Sequence, residues 1–582
     1  MAKTKNPTLT TPYSENMDKS CPWNEYPRPQ LKRDSFFCLN GLWDFAVTKE
    51  ATPPKKYTEK ILVPFPPESA LSGIQRRIGK DDRLYYRRKF TLPDGFKKDR
   101  IVLRFGAVDR FCRLTVNGQN AGIHNCGYLP FYADITDMLV DGENEILLSV
   151  TDNLSKRYPY GKQKRRRGGM WYTPVSGIWQ TVWIESLPEK YIKNLRITPS
   201  MTGVKITVDS DAAHKVITLS ESGERFEFDK KSIVITPKNI RLWSPEDPYL
   251  YHFTLTTETD RVESYFALRE IGVKETDGIS RLTLNGKPYL FNGLLDQGYY
   301  PDGIFLPASK DGYIEDIKLA KSMGFNTLRK HIKVEPAIFY HLCDTMGICV
   351  FQDMVNNGKY SFLRDTVLPT LGFKQFSDKR LHRSKKSRAA FVECMLGTTN
   401  TLYNYPSVLY YTIFNEGWGQ FDANTMYRTL KENDSTRIVD ATSGWFWQSE
   451  SDIDSYHTYF KRLSVNSNTP RPIAVSEFGG YSHRVSGHLY GNKNYGYKNF
   501  EIRSDYEEAL FNLYLNEVGE LAKSGVSVFI YTQISDVEDE TNGLITYDRK
   551  AVKIDAKKMR RVCDEIYSLF ISGINDTRGE NQ

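Results

Sequence analysis

The stretch Tyr410-Tyr411-Thr412-Ile413-Phe414-Asn415-Glu416-Gly417-Trp418 climbs through aromatic and β-branched residues to an abrupt Asn-Glu-Gly. A run that is apolar on both faces reads as a buried parallel strand. Its polar pair then stands at the C-terminal tip, the end of an α/β barrel on which active sites are built. A second stretch, Ile473-Ala474-Val475-Ser476-Glu477-Phe478-Gly479-Gly480, has the same form: an apolar strand, one glutamate, then glycines that turn the chain.

From about Gly278 onward strands alternate with helices. Leu290-Phe291-Asn292-Gly293-Leu294-Leu295-Asp296 is strand-like, and residues 310–323 are helical, with Ile314, Ile317 and Ala320 at spacings of three. Gly324-Phe325-Asn326-Thr327-Leu328-Arg329 is the next strand, residues 337–346 the next helix, and Ile348-Cys349-Val350-Phe351-Gln352-Asp353 another strand. Repetition of this kind over some 300 residues predicts a (β/α)8 barrel. Polar residues sit at strand tip after strand tip: Asp296-Gln297, Arg329-Lys330-His331, Asp353, Asn415-Glu416, His457, Glu477 and Gln533. Two glutamates on different tips of one barrel make a carboxylate pair of the kind that cleaves glycosidic bonds. The plainer reading of each is a buried salt-bridge partner, and for Asp353 the structural reading is preferred.

Upstream, residues 34–185 read as all-β. Ile101-Val102-Leu103-Arg104-Phe105 and Glu145-Ile146-Leu147-Leu148-Ser149-Val150 are short strands. Val116-Asn117-Gly118-Gln119 carries the Asn-Gly of a type I′ hairpin turn. Trp179 and Trp183 would share a face if they lie on one strand. Residues 190–273, with alternating runs such as Val204-Lys205-Ile206-Thr207-Val208, fit a small immunoglobulin-like sandwich, and Leu242-Trp243-Ser244-Pro245 opens a loop between its strands.

Forty per cent hydrophobic and 26% charged residues fit a soluble globular chain of 582 residues, long enough for several cores. The net charge of +8 is a mild excess over 79 basic and 71 acidic residues and does not by itself suggest nucleic acid. One cluster, Lys162-Gln163-Lys164-Arg165-Arg166-Arg167, reads as a solvated loop, or more sharply as a loop touching an anionic partner. The eight cysteines are scattered, without zinc-ligand spacing. No apolar leader is seen in residues 1–7 and no membrane span anywhere, so reduced thiols and a cytoplasmic location are expected. The tail after Ser572 is polar and expected to fray.

Val116-Asn117-Gly118, Gly177-Ile178-Trp179-Gln180, Leu284-Asn285-Gly286-Lys287-Pro288, Asn415-Glu416-Gly417 and Ser476-Glu477-Phe478-Gly479, in this order, resemble glycoside hydrolase family 2, which includes β-galactosidases, β-glucuronidases and β-mannosidases. The resemblance covers nearly the whole chain. It implies a sugar-binding jelly-roll β-sandwich over 1–187, an immunoglobulin-like β-sandwich over 188–274 and a catalytic (β/α)8 TIM barrel over 275–582. It implies an exo-acting retaining β-glycosidase, with Glu416 as acid/base, Glu477 as nucleophile and Asn415 on the sugar 2-hydroxyl. Arg329 and His331 would orient Glu477 and bind hydroxyls, His457 and Tyr459 would contact sugar or Glu477, Asp296 would hold a hydroxyl, and Tyr531 would be an aromatic platform where many relatives carry Trp. The expected partner is a carbohydrate, with no metal or cofactor, no nucleic acid and no membrane; a homo-oligomer is a reasonable default.

The sugar is less legible. β-Glucuronidases of this family hold the sugar carboxylate with an Asn-x-Lys motif after the last barrel strands. The matching stretch here, Asp539-Glu540-Thr541-Asn542-Gly543-Leu544-Ile545-Thr546, has no lysine and carries acidic residues. A neutral, β-galactoside-like sugar is therefore expected, unless a basic residue from another loop, such as 162–167, substitutes. A uronide or pentoside hydrolase, and a non-catalytic carbohydrate-binding protein, are the alternatives.

Overall fold

The computed structural model describes residues 9–373 and 377–579, so residues 1–7, read above for a leader, lie outside it. The polar tail is helical as far as Gly579, rather than frayed after Ser572; its last three residues lie outside the described set.

The first sandwich pairs a six-stranded with a four-stranded antiparallel sheet, closed on a core that includes Trp43, Phe45, Tyr86, Leu103 and Ile184. Asn117 and Gly118 both take positive φ, 48° and 76°, as a type I′ turn requires, and they join Phe111–Val116 to Gln119–Asn125. Trp179 and Trp183 do not share a strand. Gly177–Ile178 and Val182–Leu187 pair with different partners, and Trp179 falls in the connection between them. Its Nε1 donates to the Gly127 carbonyl at 2.7 Å. The second sandwich joins a three-stranded and a four-stranded sheet around Ile206, Ile217, Phe253 and Phe266. A three-stranded sheet built from Ile271–Thr276, Ile279–Leu284 and Lys287–Pro288 follows. Its Leu282 and Leu284 pack with Phe291, Val528 and Ile530, against the strand starts of the next unit.

That unit is a barrel of eight parallel strands: β1 (Phe291–Asp296), β2 (Thr327–Lys330), β3 (Cys349–Asp353), β4 (Val408–Asn415), β5 (Ile438–Ser443), β6 (Asp454–Thr458), β7 (Ile473–Gly479) and β8 (Val528–Thr532). The ladder order is β5-β4-β3-β2-β1-β8-β7-β6. The two edge strands approach each other where the Ser443 hydroxyl, at the end of β5, lies 3.1 Å from that of Ser455, near the start of β6. Helices including α1 (Asp311–Ser322), α2 (Ala337–Met346), α3 (Lys385–Leu402) and α4 (Ala423–Asn433) cover the outside. α1 buries Tyr313, Ile317 and Ala320, the stripe expected of a helix lying on a sheet. Every residue of β3, β4 and β7 is buried, which is why these strands read as unbroken apolar runs. No helix among the described residues is long and apolar enough to cross a membrane.

Candidate active site

Glu416 follows the last residue of β4 and holds a φ of 53°, a conformation that non-glycine residues adopt mostly where surrounding structure enforces it. Here the enforcing contacts are its own N–H, which donates to Ser443 O at 2.9 Å across to β5, and Gly417. Gly417 also has positive φ, and a Cβ there would lie 2.2 Å from the Phe446 ring, so the turn that sets Glu416 at the strand tip has no room for another residue. Glu477 sits within β7, beside a register slip of β7 against both β6 and β8. Irregularities of this sort re-aim a side chain.

The two carboxylates meet around His457 at the tip of β6. One oxygen of each glutamate and a ring nitrogen of His457 all lie within 4.8 Å of one another. His457 Nδ1 is 2.9 Å from Glu416 Oε1. Its Nε2 is 2.9 Å from Ser443 Oγ and 3.7 Å from Glu477 Oε1. Arg329, at the tip of β2, is fully enclosed and uses every arm of its guanidinium. It donates to Glu477 Oε1 at 3.0 Å, to Ser476 O at 2.9 Å, to Asn415 Oδ1 at 2.8 Å and to Asp353 Oδ1 at 2.9 Å. Asp353 also pairs with His331 Nδ1 at 2.6 Å. Tyr459 donates its hydroxyl to Glu477 Oε2, and its ring stacks on Tyr497 at 3.8 Å. Burial alone would raise the Glu477 pKa, but His457, Arg329 and His331 outweigh it and hold the carboxyl below its ordinary range. Glu416, by contrast, is only partly buried.

Asn415, Arg329, His331, His457 and Tyr459 thus come together with the two glutamates. Asp296 and Tyr531 do not join that network. Asp296 is neutralised by Lys330 at 2.5 Å and accepts from Gly298 N. A platform needs a ring face open to ligand, whereas the Tyr531 ring is wholly buried against Phe478, with its hydroxyl accepting from Tyr481 N at 3.2 Å. A half-buried ring that sequence reasoning missed is Trp445, just beyond β5 and 5.6 Å from the His457 ring. The run Gly444-Trp445-Phe446-Trp447 at a strand tip was the sequence signal for it.

The basic cluster is solvated only in part: Lys164 and Arg166 are exposed, the rest is not. Lys162 and Gln163 are buried, and Arg165 turns back to donate to Asp152 O at 3.0 Å. Arg167 pairs with Asp539 at 2.8 Å and lies 3.5 Å from Glu538. Five residues on, Tyr172 donates to Glu540 and Thr173 N to Glu538 Oε1 at 2.9 Å. The anionic partner of this loop is the chain's own barrel, in the acidic stretch after β8. The loop belongs to the sandwich, so one wall of the site is built by the N-terminal part of the chain.

The chain spans about two fifths of the length of the curated relatives it matches first. A β-galactosidase of Pseudoalteromonas haloplanktis is 25% identical over 67% of this chain and 37% of its own, and one of Priestia megaterium 23% identical over 72% and 42%. Two solved structures match along almost their full length. A β-D-glucuronidase of Dictyoglomus thermophilum superposes with a TM-score of 0.73 at 20% identity, covering 93% of this chain and 98% of that one. A β-galacturonidase of Eisenbergiella tayi bound to galacturonate superposes at 0.66 and 19%, with coverage of 93% and 98%. Family models for the sugar binding domain of glycosyl hydrolases family 2, for a further segment of that family and for its TIM barrel domain match residues 74–188, 191–269 and 274–566 in turn. The chain belongs to glycosyl hydrolases family 2.

Proposed function

We propose that the protein is an exo-acting β-glycosidase that works with retention, Glu477 being the nucleophile and Glu416 the acid/base. The observation that carries this reading is the approach of the two carboxylates to within 4.8 Å around His457. Retaining enzymes hold their pair about 5–5.5 Å apart, and inverting ones leave about 6.5–9.5 Å for a water. Glu477, held ionised by His457 and Arg329, attacks the anomeric carbon while Glu416 gives its proton to the departing glycosidic oxygen. The glycosyl ester so formed is attacked by water, which loses its proton to Glu416, and Glu477 leaves as the carboxylate. Arg329 occupies Oδ1 of Asn415, which leaves the amide N–H groups for the sugar 2-hydroxyl. The sandwich loop docked beside the pair narrows the cleft on one side, which suits a terminal sugar.

Which sugar the pocket takes turns on its cations. The absence of lysine from residues 539–546 favours a neutral, β-galactoside-like glycone, as the names of the matched β-galactosidases would suggest. A second reading, a uronide, is favoured by Lys162. Proton NMR of the first-formed hemiacetal, across β-nitrophenyl galactoside, glucuronide, mannoside, arabinoside and fucoside, tests the mechanism. A β-anomer is expected first; an α-anomer overturns retention, and no turnover of any sugar overturns the glycosidase reading in favour of a binding protein.

A further inference from the structure

Lys162 is only 9% exposed, and among the described residues its ammonium makes no hydrogen bond and no ion pair. The loop carrying it is fixed on both sides. Tyr160 N and Gly161 N both donate to Asn356 O, beyond β3, at 3.1 and 3.3 Å. Gly161 has positive φ, and a Cβ there would lie 2.8 Å from the Ile332 carbonyl oxygen, so the loop runs backbone against backbone on the residue following His331. On the other side Tyr172 N donates to Lys162 O at 2.9 Å, while the Tyr172 hydroxyl reaches Glu540. Lys162 is therefore held between the His331 tip and the Glu540 loop, and its charge acts on both: it opposes protonation of His331 and favours the ionised form of Glu540. Both groups also lie in the field of Glu477.

Among the described residues, the buried or partly buried cations nearest it are already matched. Arg329 is on Glu477 and Asp353, Lys330 on Asp296 and Glu335, and Lys333 on Glu335. Arg167 is on Asp539, and Lys553 on Asp536. An ammonium on a mostly buried side chain, with no direct ion pair, keeps a charge that a ligand can match. A neutral hydroxyl would satisfy one donor and leave the charge unmatched, whereas a carboxylate satisfies both. We propose that Lys162 is the specificity-determining residue of this pocket and that it takes the carboxylate of a hexuronide, doing from the sandwich loop what the acidic stretch after β8 is not equipped to do. This rests on the glycosidase reading above.

The test compares kcat/KM for nitrophenyl β-glucuronide and β-galacturonide with nitrophenyl β-galactoside, in the wild type, Lys162→Gln and Lys162→Arg. The wild type is expected to prefer one of the uronides. In Lys162→Gln the ratio of uronide to galactoside kcat/KM should fall about 100-fold, the loss typical of unpairing a buried charge; Lys162→Arg, which keeps the charge, should recover part of it. A thermal melt checks that the variants fold. If the wild type hydrolyses the galactoside and neither uronide, or if Lys162→Gln leaves the ratio unmoved, the assignment of Lys162 is overturned while the glycosidase reading stands. Turnover of no sugar overturns both.

Discussion

The Arg329 guanidinium donates to Glu477 Oε1 at 3.0 Å, and this ion pair separates two otherwise similar glutamates. Glu477 is enclosed and held as the anion. Glu416, partly open to the cleft, instead meets His457, and among the described residues no arginine pairs with it. A nucleophile must be ionised and a general acid protonated, so the asymmetry matches the roles proposed.

Replacing Arg329 with Lys would keep a charge and lose the fork that reaches Glu477, Asn415 and Asp353 together. Arg329→Lys is expected to lower kcat/KM by roughly 100-fold or more, since several charge-assisted bonds go at once. Steady-state kinetics on the preferred nitrophenyl glycoside measures this, with circular dichroism to confirm folding. Wild-type kinetics would show that the guanidinium does not position Glu477.

Glu416→Ala removes the proton donor and leaves Glu477 in place. Hydrolysis of a glycoside with a poor leaving group should drop by about 100- to 10,000-fold. Formation of the glycosyl ester from a dinitrophenyl glycoside, which needs little protonation, should survive. Added azide should then restore turnover and give the β-glycosyl azide. The α-azide, or no rescue, would count against the acid/base role.

Tyr459→Phe deletes one hydroxyl that donates to Glu477 Oε2. The ring remains packed on Tyr497, so the fold should be unaffected. A bond to a charged group contributes about 1.5–3 kcal/mol, which makes a drop of about 10- to 100-fold in kcat the expected result. An unchanged kcat would leave Tyr459 as packing alone.

Glu538 links the sandwich loop to the barrel, and burial raises its pKa to about 7. The folded chain thus keeps a proton that the unfolded chain releases near its ordinary value of 4.5. This contribution to stability is fully present below that value and is lost as pH rises through about 7. Glu538→Gln keeps an acceptor for Thr173 N and removes the titration. Its Tm should match the wild type at pH 4 and exceed it at pH 8, by as much as about 3 kcal/mol in stability. A variant that is less stable at pH 8 would mean that the Arg167 pairing outweighs the cost of burial.

The barrel was legible because its central strands are buried on both faces, and unbroken runs such as residues 408–415 have no other comfortable environment. The glutamate tips were legible for the same reason: a charged residue ending such a run stands out. What the sequence hid was pairing across long separations. The basic loop at 162–167 and the acidic stretch at 538–540 each read as unpartnered until they met across some 370 residues of chain. Tyr531 and Asp296 stood near strand tips as the active residues do. Only packing distinguishes a ring sealed against Phe478, or a carboxylate neutralised by Lys330, from a group facing ligand. Trp179 shows a related failure: alternation cannot reveal that a short strand has ended.

The central claim is that Glu477 forms the bond to the sugar. Incubation with a 2-deoxy-2-fluoro glycoside of the preferred sugar, carrying a dinitrophenyl leaving group, followed by peptide mass spectrometry, tests it most directly. One sugar per chain is expected, on the peptide containing Glu477 and at that residue, with Glu477→Gln unlabelled. A label on Glu416, or hydrolysis of the reagent with no labelled chain, would contradict the account.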